Sequence, residues 1–196
     1  MGQYYKGVIL NEEKTEVINA LNCYAHGNGA KLMEHSYIGN HYVRAYEHLL
    51  ATTFKGKPFV WCGDYADNDW YSKGWTFDDD KAKDNFYNKY GYNFEGRLMD
   101  SEFYPTLPYN KLRYYKYLLN YDTKEYVKLP KHIKDKWIIH PLPLLCADGN
   151  GRGGGDYYGT NEIMVGIWAY NHIGVGNDIP TEGFWKELKI TFEEER

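Results

Sequence analysis

Twenty-one tyrosines and six tryptophans stand in a chain of 196 residues in which Leu, Ile, Val and Phe together supply only about a fifth of the total. Below roughly 20% of those four residues, disorder is the default state of a chain. Each aromatic ring, however, brings about 150–250 Å² of buriable surface, so a core built on Tyr and Trp replaces the missing aliphatic one. A folded chain is therefore expected, and its length suits one globular domain over residues 1–196. The same reasoning commits most rings to the core. Only those beside Gly/Asp turns, namely Trp61, Tyr65, Trp70, Tyr157 and Trp168, are left over as ligand-facing candidates.

A net charge of −4 and a pI near 6.0 argue against an extended nucleic-acid partner, because a phosphate backbone is met by clustered Lys and Arg. The best apolar run, Trp137 to Ala147, is far shorter than the ~18 residues of a membrane helix and contains His140, Pro141 and Pro143. No signal segment opens the sequence, and Cys23, Cys62 and Cys146 are odd in number and widely spaced. These features predict a cytoplasmic protein with no membrane partner, no disulfide framework and no cofactor.

Hydrophobic periodicity predicts an α+β fold, mainly an antiparallel sheet built from hairpins with one or two helices. Residues 3–10 and 15–21 flank the polar Asn11-Glu12-Glu13-Lys14 as an opening hairpin. Val43, Tyr46, Leu49 and Leu50 recur at helical spacing over 40–51, behind an Asn40 cap. The run 58–62 (PFVWC) reads as a buried strand closed by Gly63-Asp64, and the run 111–129 as a second hairpin turning at 121–124. A helix is expected from Asp78 to about Tyr90, extended chain over 137–146 because of its prolines, and strands over 163–170 and 188–192.

The segment Ala147 to Gly159 carries six glycines around Arg152. Successive N–H groups of such a loop can converge on an anion as a nest, with the Arg152 fork as partner. Asp148, Asn150, Gly151, Arg152, Gly153, Gly154, Asp156 and Tyr157 are therefore candidate ligand-binding residues, together with Trp61, Asp64, Tyr65 and Trp168 beside neighbouring turns. A plain surface loop is the alternative. The letters G-x-G-x-x-G at Gly149, Gly151 and Gly154 lack the strand-then-helix frame of a dinucleotide fold. Asp64, Asp67, Asp148 and Asp156 could hold a divalent cation with His26 or His140, but no established metal spacing occurs, and turn and cap roles are favoured for most of them. No serine sits in a nucleophile elbow, and Cys62 reads as a core residue before it reads as a nucleophile. No catalytic and no metal-ligating residue is assigned.

The stretches MGQYYK at 1–6, HSYIGN at 35–40, WCGDYAD at 61–67 and IHPLPLL at 139–145 running into GNGRGGGDY resemble a group of proteins in bacteria and their phages. The resemblance spans most of the chain. It implies a cytoplasmic or phage-borne accessory protein and carries over no catalytic residue.

The expected function is capture, without chemistry, of a small anionic, nucleotide-like ligand; in a phage setting this means sequestering a host signalling nucleotide. The alternatives are a metal-assisted hydrolase or lyase acting on a phosphate-containing small molecule, and an inhibitor or immunity-like module with a protein partner or a homo-oligomeric state.

Overall fold

The computed structural model describes residues 4–64, 66, 114–131, 136–149 and 155–194. The helix expected over 78–90 lies outside them. Strands β1 (Tyr5–Leu10) and β2 (Val17–Ala20) form the opening hairpin, with a bulge between Ile9 and Leu10. Its turn is held by the Asn11 carboxamide oxygen, which accepts from the backbone N–H of Thr15 at 2.9 Å and of Glu16 at 3.0 Å. Strand β3 (Lys57–Gly63) runs antiparallel along the other edge of β1. The second hairpin is β4 (Tyr117–Asn120) and β5 (Glu125–Lys128), with Asn120 performing the same service for its turn.

Two-residue β6 (Ala147–Asp148) lies parallel to the end of β3, while β7 (His172–Gly176) pairs with the start of β3 and with β4, joining the two hairpins. With β8 (Lys186–Glu187) beside β5, the order is β2-β1-β3-β7-β4-β5-β8, and β6 alongside β3 completes one sheet. Among the described residues three helices accompany it: α1 (Leu32–His35), α2 (His41–Ala51) and α3 (Pro141–Leu145). The fold is α+β with a mostly antiparallel sheet.

Side-chain alternation sorts β1 and β3 onto two faces. Ile9, Phe59 and Trp61 pack with the helices, whereas Val8, Leu10, Val60 and Cys62 pack with Val17 and Tyr170 on the other side. The main core is aromatic, as the composition requires. Tyr42 and Tyr46 of α2 meet Phe59 and Trp61 of β3 edge-on or tilted, with ring centroids 5.0 to 5.8 Å apart. Such buried phenols need partners for their hydroxyls. Tyr42 donates to the Leu21 carbonyl at 3.0 Å; Tyr46 accepts from the Leu21 N–H at 2.8 Å and donates to the Gly7 carbonyl. Gly7 must be glycine, since a Cβ there would lie 2.7 Å from the Tyr46 ring.

Three expectations fail for identifiable reasons. Residues 141–145 form helix α3 rather than extended chain, because Pro141 and Pro143 both fall in its first turn, where a missing N–H costs nothing. His140 caps it by accepting from the Leu142 N–H at 3.1 Å. Residues 163–170 are not a strand: a short 3-10 turn at Glu162–Met164 gives way to further turns, and Asn161, Gly166 and Tyr170 all hold positive φ. At the C-terminal end the strand is shorter and earlier than 188–192, at Lys186–Glu187, and Phe192 is inserted into the core. Among the described residues no helix is long and apolar enough to cross a membrane.

Candidate functional site

The base of the glycine-rich loop brings together residues far apart in sequence. Parallel pairing of Trp61 with Ala147 and of Cys62 with Asp148 sets the ends of β3 and β6 side by side, so Gly63-Asp64 lies next to the start of the loop. On the returning side, Gly155 lies against the Tyr5 ring. Burial, reinforced by Asp148, Cys62, Asp156 and Asp64 in that order, pushes the Tyr5 hydroxyl well above the usual phenol range. Three of the predicted carboxylates thus act on one phenol.

Each of these carboxylates has a protein donor. Asp148 accepts from the Tyr170 hydroxyl, Asp64 from the Tyr4 N–H at 3.0 Å, and Asp156 from the Met33 N–H at 3.0 Å. Tyr157 is buried and its hydroxyl donates to the Thr160 carbonyl at 2.5 Å. Asn150, Gly151, Arg152, Gly153, Gly154 and Tyr65 lie outside the described residues. An anion brought to this base would face three carboxylates, which opposes it on electrostatic grounds.

Trp61 and Trp168 need correcting as stacking faces. They are 0% and 1% exposed, and both indoles donate to protein partners: Trp61 to His35 Nε2 at 2.9 Å, Trp168 to Glu125 Oε2 at 3.2 Å. They belong to the core.

His140, considered as a base, has both ring nitrogens engaged. Nδ1 accepts from Leu142, so the proton sits on Nε2 and is directed to Glu47 Oε1 at 3.1 Å. Cys23, Cys62 and Cys146 are buried thiols, and burial pushes that of Cys146 up. Among the described residues no group of three or more His, Cys, Asp or Glu is arranged to hold a metal ion.

A different part of the surface carries an open groove. A groove of about 490 Å³, within the roughly 300–1,000 Å³ of small-molecule sites, is lined by residues 26–28, 37–41 and 136–137. Local sequence explains two of its walls. Asn22 caps the short turn Cys23–His26, which closes on left-handed Gly27 (φ 70°) and ends at the lining residue His26. Asn40 caps α2 by accepting from the Tyr42 N–H at 2.9 Å, which places His41 at the first position of that helix. The third wall is non-local: Ile38 N–H to the Ile138 carbonyl at 2.8 Å and His140 N–H to the Ser36 carbonyl at 2.9 Å tie 36–38 to 138–140, bringing Lys136 and Trp137 to the groove.

The lining offers hydrogen-bond donors. The Asn40 carboxamide oxygen is used by the helix cap and that of Asn28 accepts from Asn40 Nδ2 at 2.6 Å, while Asn28 Nδ2 donates to the His26 carbonyl at 2.9 Å, so each amide has one further N–H. Lys136, His26 and His41 add nitrogen, the N-terminus of α2 adds a positive field, and none of the described lining residues is acidic. Trp137 is 81% exposed, touching Tyr37 edge-on at 4.9 Å between centroids. Burial, then His41, pushes His26 down to about 4; burial, then Arg44, lowers His41.

The chain matches no family model, no functionally described protein and no solved structure. Sequence reading singled out Asn40 only as a cap and missed Asn28, Lys136 and Trp137. The available signal was Trp137 itself, set among the charged Lys134, Asp135 and Lys136, where a core ring is unexpected.

Proposed function

We propose that this protein captures, without chemistry, a small anionic ligand that carries a planar ring, in the groove between the 26–28 turn, the start of α2 and Trp137. The observation that carries the reading is a donor-rich lining, none of whose described residues is acidic, beside an exposed indole. Phosphate or carboxylate oxygens accept from Lys136, the Asn amides and the imidazoles, while the ring stacks on Trp137. A nucleotide joins such a ring to such an anion, which keeps the ligand class expected from the sequence and moves it away from the acidic base of the glycine-rich loop.

Calorimetry with adenosine 5′-monophosphate, ribose 5-phosphate and adenosine tests this. The monophosphate should bind more tightly than either half, and Trp137→Ala should cost about 1–3 kcal/mol, the value of one base stacked on one aromatic. The ligand should be recovered intact after denaturation. Equal weak signals from all three compounds, or binding indifferent to Trp137→Ala, would reject the reading.

A further inference from the structure

We infer that Asn40 is a positioning residue for the ligand: through Asn28 it fixes which way the amides of the groove are turned, so that the pair receives an oxyanion oxygen rather than a group that donates. This rests on the reading of the groove as an anion site and adds what selects the anion there.

The orientation of both amides follows from neighbours that can act in one sense only. The backbone N–H groups of Tyr42 and Val43 can only donate, at 2.9 and 3.4 Å, so the Asn40 atom facing them is its oxygen. Asn40 Nδ2 is thereby set on the other side, and since it too can only donate, the Asn28 atom 2.6 Å from it is an oxygen. Asn28 Nδ2 then meets the His26 carbonyl, an acceptor, at 2.9 Å. The two main chains are also held, Asn28 N–H by the Cys23 carbonyl at 3.2 Å and Asn40 N–H by the Tyr37 carbonyl at 3.0 Å.

The cap engages both lone pairs of the Asn40 oxygen, whereas each Nδ2 keeps one N–H and the Asn28 oxygen keeps one lone pair. The surplus is therefore of donors. Turning Asn40 over would set its Nδ2 against two backbone N–H groups, and turning Asn28 over would set oxygen against the His26 carbonyl and nitrogen against nitrogen, each at the cost of unmade hydrogen bonds. A phosphate or carboxylate oxygen, which only accepts, matches the surplus with charge-assisted bonds. One side chain thus serves both the start of α2 and the choice of ligand.

Asn40→Ser separates the two roles, because serine caps a helix about as well as asparagine but has no amide nitrogen to hold Asn28. The experiment is calorimetry of the full chain with adenosine 5′-monophosphate on the wild type, Asn40→Ser, Asn28→Ala and the double variant, with urea unfolding of each alongside. Asn40→Ser should keep its unfolding midpoint and lose about tenfold or more in affinity, the value of a hydrogen bond to a charged group. The double variant should lose less than the product of the two single losses, since Asn28 is already released when Asn40 is replaced. Wild-type affinity in Asn40→Ser, or single losses that simply multiply, would overturn the positioning role while leaving the anion site standing. Absence of binding by the wild type would overturn the anion site and the positioning role with it.

Discussion

Lowering the pH should weaken the fold through one buried histidine in particular. His35 is fully buried, its Nδ1–H donates to the Gly29 carbonyl at 3.1 Å, and its Nε2 accepts the Trp61 indole N–H at 2.9 Å. That pattern fits only the neutral ring. Burial pushes His35 down to about 4 from an ordinary value of 6.5, partly offset by the Gly29 carbonyl and Glu34. A histidine with a depressed value in the folded state leaves the unfolded chain holding more protons between pH 6.5 and 4, so its contribution is complete above pH 6.5 and lost as the pH falls towards 4. A difference of about 2.5 pH units corresponds to roughly 3 kcal/mol, of which about 2 kcal/mol is lost by pH 4.5. Urea unfolding followed by far-ultraviolet circular dichroism at pH 7.5 and pH 4.5, on the wild type and on His35→Gln, isolates this share from other groups that titrate in acid. Gln keeps an amide for one of the two partners and does not titrate. The wild type should lose about 2 kcal/mol more than the variant over that interval. Equal losses in the two proteins would refute the assignment of a neutral, doubly bonded His35.

Other substitutions probe separate parts of the structure. Tyr46→Phe leaves the Leu21 N–H and the Gly7 carbonyl without their shared hydroxyl, and should cost about 1–3 kcal/mol in denaturant unfolding. Gly7→Ala drives a methyl into the Tyr46 ring and should cost a similar 1–3 kcal/mol; a neutral outcome would show that α2 can retreat from β1. Asn40→Ala removes the α2 cap and should lower stability by about 0.5–2 kcal/mol while also weakening adenosine 5′-monophosphate binding, because the same residue frames the groove.

Both hairpins and α2 were legible because their signals are local. Asn11 and Asn120 hold the turns they open, and Asn40 precedes the apolar spacing of Tyr42, Val43, Tyr46, Leu49 and Leu50. The prolines of 141–145 misled, since a residue that breaks a helix interior fits its first turn, and the distinction depends on where His140 caps. Gathering Asp64, Asp148 and Asp156 around Tyr5 needed the parallel pairing of β3 with β6, which no short-range pattern encodes. The groove was hidden for the same reason, its walls being three segments joined by backbone bonds between 36–38 and 138–140. Trp61 and Trp168, adjacent to turns in sequence, are drawn inward by an aromatic core that has few aliphatic residues to fill it.

The location of the ligand is the most direct test. Amide and indole resonances recorded while adenosine 5′-monophosphate is added should move at residues 26–28, 37–41 and 136–137 and at the Trp137 indole N–H. Movement confined to residues around Asp148 to Tyr157, with Trp137 unaffected, would contradict the groove and return the site to the glycine-rich loop.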